Sequence, residues 1–124
     1  MAPGTQPGWP AGVPGPGESG WERRAVSWLL DLAPGDWRGI DVLVRQPTAL
    51  AALVSDHVAA TRTGLRTSVA GLRSRLAGAV PPRVVEEVVT ALMGQEAVLA
   101  RVAREVSLVE DALRRPKSQT SDPT

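Results

Sequence analysis

Apolar positions recur at steps of three and four along most of the chain, the spacing that keeps them on one face of a helix. In the first such run they are Leu50, Val54, Val58, Thr61, Leu65, Val69, Leu72, Leu76 and Val80. In the second they are Val85, Val88, Leu92, Gln95, Leu99, Val102, Val106, Val109 and Leu113, an unbroken heptad seam whose one polar member is Gln95. Pro47 can open the first helix, because a missing N–H costs nothing in the first turn. No proline follows until Val80-Pro81-Pro82 separates the two runs. The pattern predicts an all-α fold, with helices over residues 47–79 and 82–115 joined by a short break into a long antiparallel hairpin. Each helix would be about 50 Å long.

A shorter apolar face, Trp21, Ala25, Trp28, Leu29 and Leu32, predicts an N-terminal helix over residues 20–32. Ser19-Gly-Trp-Glu22 fits a capping box at its start. The stretch between this helix and the hairpin, DLAPGDWRGIDVLVRQP, reads as a turn-rich corner. Pro34-Gly35 would end one helix, Asp36 and Asp41 would cap short turns, and Gly39 would take a positive φ. Trp37 and Ile40 would plug the end of the bundle. Residues 1–18 are mostly proline and glycine, and 116–124 follow a helix-stopping proline. Both read as disordered tails around a helical domain at 19–115.

Two features point to self-association. The flanks of the last seam are also apolar, at Val84, Val89, Ala91, Val98, Ala103 and Ala112, so one neighbouring helix cannot cover the whole face. The short helix reaches only about 20 Å and leaves much of the hairpin bare. In addition Gly64, Gly71 and Gly78 recur at heptad spacing inside a helix, where each costs about 1 kcal/mol against alanine. They would let another backbone approach closely. The expected object is an interaction or scaffold protein whose partner is itself, most simply as a homodimer forming a four-helix bundle, or another helical protein. Its candidate interaction residues are Trp37, Gly64, Gly71 and Gln95.

Composition narrows the chemistry. The 124 residues carry a net charge of +1, no cysteine and one histidine. Disulfides, thiolate zinc sites and multi-histidine metal sites are therefore absent from one chain. No apolar run approaches the ~18 residues of a membrane span, and the N-terminus lacks a basic segment followed by an apolar one, so the expected location is cytoplasmic. Asp56 adjoins His57 in sequence, but adjacent helical residues do not face each other, so His57 reads as a packing residue. With no phosphate loop, nucleophile elbow or metal-ligand spacing, neither enzymatic activity nor a cofactor is expected. Arg62, Arg66 and Arg73 lie near one helix face and could follow phosphates, which makes nucleic acid the alternative partner. Their other reading is ion pairing with Glu96, Glu105 or Glu110.

Phe, Tyr and Asn are missing, and Lys and Ile occur once each. These residues share AT-rich codons, so the usage points to a high-GC genome. Residues 28–115, through WLLD, WRG, VLVRQP, an Ala/Leu-rich helix with His57, VPP and LVEDALRR, resemble a family of small uncharacterised helical proteins common in actinobacteria. That resemblance implies the helical fold and no activity. Trp37-Arg38-Gly39 also resembles the W-x-G triplet of type VII secretion substrates. In that family the triplet sits between two equal helices, whereas here the equal helices meet at Val80-Pro81-Pro82.

Overall fold

The computed structural model describes residues 6–115. Helix α1 spans Trp21–Leu32, a single 3₁₀ turn covers Gly35–Gly39, and the short helix α2 spans Asp41–Arg45. The long helices α3, Pro47–Leu76, and α4, Pro82–Arg114, pack against each other as the expected antiparallel hairpin. Both begin on a proline in the first turn. Helix α3 stops at Leu76, three residues before the predicted end, where Ala77 (φ −57, ψ 126) and Gly78 (φ 80) form a turn that the Ala79 N–H closes on the Leu76 carbonyl at 3.0 Å. The left-handed conformation at Gly78 favours glycine and ends helices. The Val80 N–H also donates to the Leu76 carbonyl, at 3.1 Å. The third glycine of the heptad series is thus a helix stop rather than an interior residue.

The densely packed core lies at one end of the hairpin. Helix α1 supplies Ala25, Leu29 and Leu30, α2 supplies Leu43, α3 supplies Leu50, Ala51, Val54 and Val58, and α4 supplies Val106 and Val109. No α3 residue after Val58 is buried. Past that level only Val85 and Val89 of α4 are, near the far end. The molecule is therefore a compact base from which a bare two-helix arm extends.

Residues 6–18 correct the expected tail. They form a run of turns packed on the base, with Pro10 fully enclosed and Val13 only 4% exposed within the core cluster. The Trp9 indole N–H donates to the Val13 carbonyl at 2.8 Å, and the Trp9 ring stands 6.2 Å from that of Trp21. Trp9, Pro10 and Val13 contribute enough apolar surface to hold the segment. Its prolines lower the ordering cost, because they already restrict the unfolded chain. The rest of the expected tails, residues 1–5 and 116–124, lies outside the described residues.

Two local expectations are also corrected. The capping box does not form: Gly20, at φ 75, is the N-cap of α1 and no side chain caps it. The Glu18 carboxylate instead accepts the Gly15 N–H at 2.8 Å, and the Glu18 carbonyl accepts the Trp21 N–H. In the corner, Pro34 and Ile40 stand at the N-cap positions, so Asp36 and Asp41 fall in first turns, where they meet the positive end of each short helix. Gly39 has no positive φ. An Arg38–Asp31 ion pair straps the corner to the end of α1. Trp37 packs on the core as expected, whereas Ile40 is 41% exposed and Leu43 fills the space instead.

Candidate interaction surface

The bare arm has two unlike flanks. Helical residues turn by about 100° each, so Arg62, Arg66 and Arg73 lie to one side of the α3 seam and Gly64 and Gly71 to the other.

The arginine flank is laced by ion pairs. One Glu96 oxygen accepts from Arg62 Nε and Nη2 at 3.1 and 2.9 Å, and from Arg66 Nε and Nη2 at 3.2 and 3.0 Å. Nearer the tip, Arg73 holds both oxygens of Glu86 at 2.7 and 2.8 Å. All three candidate nucleic-acid arginines are thus engaged with α4 carboxylates, so the stripe acts as an interhelical clasp. Glu105 and Glu110, the other acids considered for them, pair within α4 with Arg101 and Arg114. Beside the clasp lies a groove of about 300 Å³ lined by Leu65, Arg66, Val69, Ala70, Met93 and Glu96.

This clasp explains why α4 sits rotated from the expected seam. Val89 is buried where Val88 was expected, and Glu96 faces α3 while Gln95 is exposed. The apolar alternation alone favours Gln95, since an amide interrupts a seam less than a carboxylate does. Two guanidiniums from α3 reverse that preference, because charge-assisted bonds are the stronger ones. The signal was the i, i+4 spacing of Arg62 and Arg66 at the level of Glu96.

The opposite flank is open. His57, Gly64 and Gly71 fall at heptad spacing along it. At its base Trp37 packs beside His57, ring centres 5.9 Å apart, while the Thr61 hydroxyl donates to the His57 carbonyl. Beyond His57 the cover ends. A β-carbon added at Gly64 or Gly71 would meet nothing within 4 Å, so the close approach expected at these glycines has no counterpart inside the chain. Across from them α4 presents Val84, Val88, Ala91, Gln95 and Val98, of which Ala91, Gln95 and Val98 are exposed.

The clasp makes the arm sensitive to acid. Hydrogen bonds from Arg62 and then Arg66 hold the Glu96 carboxyl below its ordinary pKa, and one from Arg73 does the same to Glu86. A carboxyl whose pKa is depressed by folding contributes stability above its unfolded pKa, and that contribution is lost as pH falls through the folded value. The melting temperature is therefore expected to fall as pH drops from 6 to 3. Glu96→Gln should melt lower than the parent at pH 6 and depend less on pH, as read by circular dichroism melts across that range.

No protein-family model, curated protein or solved structure matches the chain. Among the described residues no helix is long and apolar enough to cross a membrane, and no group of histidine, cysteine and carboxylate side chains is placed to hold a metal ion.

Proposed function

We propose that this chain is a helical interaction or scaffold protein that acts by self-association through its arm. The observation that carries the reading is the separation of core from arm. The base holds the enclosed core, although Ile40, Val42, Val44 and Leu53 stay exposed on its surface, whereas the arm buries no α3 residue, leaves Met93 61% and Val98 40% exposed and, among the described residues, has no third helix over it. Heptad-spaced apolar helices bury such surface by packing on further helices. Nucleic-acid binding ranks lower, because Arg62, Arg66 and Arg73 would have to exchange carboxylates for phosphates. The secretion-substrate reading also ranks lower, because Trp37-Arg38-Gly39 lies in the 3₁₀ turn before the hairpin. Light scattering at micromolar concentration tests the proposal: a mass of twice 13.1 kDa or more is expected, and the mass of one chain overturns it.

A further inference from the structure

We infer that the open flank of the arm is the interface between two copies, and that they pair tip to base about a twofold axis passing at the level of Ser68 and Ala91. The inference rests on the self-association reading and specifies its geometry.

An isologous interface must complement itself under a twofold rotation. On the open flank α4 presents Val84, Val88, Ala91, Gln95 and Val98, with Val84 and Val98 each seven residues from Ala91 and the inner two within one residue of matching. On the same flank α3 presents Thr61, Gly64, Ser68, Gly71 and Arg75, with Gly64 and Gly71 flanking Ser68 at four and three residues. The ion pairs set how these lines stand to one another. Arg62 and Arg66 straddle the level of Glu96, and Arg73 meets Glu86. Ser68 therefore stands level with Ala91, to within a residue. The like pairs Gly64 and Gly71 on α3 and Val84 and Val98 on α4 are thus centred at one height to within a residue, as a single axis requires.

With copies antiparallel about that axis, Ser68 faces Ser68 of the second copy and Gly64 faces Gly71 of the second copy, so the two α3 helices can approach closely. On the other side Ala91 faces its own equivalent, with Val84 near Val98 of the second copy. Arg75, at the end of the α3 line and opposite Thr61 of the second copy, is the one ionisable side chain on these lines. The middle of the interface thus requires no charge to be stripped of water, and the exposed Arg75 stands at its edge.

The same level is the middle of the bare stretch. On α3 the cover from Trp37 ends at His57, and the tip lies near Ala79. Copies related about the midpoint overlap along the whole stretch, each tip ending beside the other's Trp37 corner. Copies with both tips at one end would instead set the two Trp37 corners side by side. The overlap is about 33 Å long and two helices, or about 20 Å, wide. That is on the order of 650 Å² in projection, comparable with the ~800 Å² per partner of a stable pair.

The absence of native cysteine makes the register directly readable. Ser68→Cys and Ala91→Cys, each made alone in the full chain, are expected to give linked dimers with mild oxidant or a short bismaleimide. Met93→Cys, at a similar height on the clasped flank, should stay single on the same non-reducing gel. Ser68→Glu should halve the light-scattering mass by facing like charges across the axis, and Met93→Glu should leave it unchanged. A parent of doubled mass in which Met93→Cys links and Ser68→Cys does not overturns this interface while leaving self-association standing. Linking at Ser68 without linking at Ala91 overturns the shared axis. A parent with the mass of one chain removes the self-association reading itself.

Discussion

Leu29→Ala is expected to lower the unfolding free energy by about 3 kcal/mol, while Leu65→Ala lowers it by about 1 kcal/mol. The two changes remove the same atoms. Leu29 is fully enclosed in the core cluster that also holds Leu50 and Val54, so truncation leaves a sealed cavity. Around Leu65, which lines the open groove of the arm, solvent reaches the space left behind and no sealed void forms. Urea denaturation at one fixed protein concentration measures both. The same contrast predicts backbone dynamics. Amides of α3 beyond Val58 should exchange with solvent faster than those between Leu50 and Val58, because few buried contacts must break to open them. Equal losses for the two variants would mean that the arm is as well packed as the base.

The main lines of the fold were legible because they depend on short-range rules. Pro47 and the Pro81-Pro82 pair mark helix starts by removing donors that a first turn does not use, and the apolar alternation between them needs only helix geometry. The seam of α4 was legible to within one residue and no further. Val88 and Val89, like Gln95 and Glu96, are adjacent in sequence, and which of each pair faces α3 depends on where Arg62 and Arg66 stand across the hairpin. That is long-range information, and apolar spacing does not carry it. The glycines show the same limit. Their heptad spacing was visible, but Gly78 ends a helix while Gly64 and Gly71 remain inside one. The difference comes from the proline pair that follows Gly78 closely. For the interaction surface, the sequence contains the two lines of small and apolar residues, but only the ion pairs that set the hairpin register bring Ser68 and Ala91 to one height.

Removing residues 1–18 is expected to lower the melting temperature by roughly 10 °C or more, although composition alone would make the segment dispensable. Val13 is 4% exposed within the core cluster and Pro10 is fully enclosed. Burying one valine side chain stabilises by about 1.5 kcal/mol or more, and the Trp9 ring against Trp21 adds to it. In a domain of this size about 1 kcal/mol corresponds to 4–8 °C, so a combined loss of two or three accounts for the shift. Val13→Asp in the full chain separates packing from mere length. It leaves every residue in place but brings a carboxylate into an apolar site, where an unpaired charge is costly. It should melt close to the truncated protein, because undocking the segment caps the loss. Ala11→Asp, two residues away at an exposed position, should melt with the parent. A truncated protein that melts with the parent would return residues 6–18 to the status of a tail, and α1 would then need no cover beyond the hairpin.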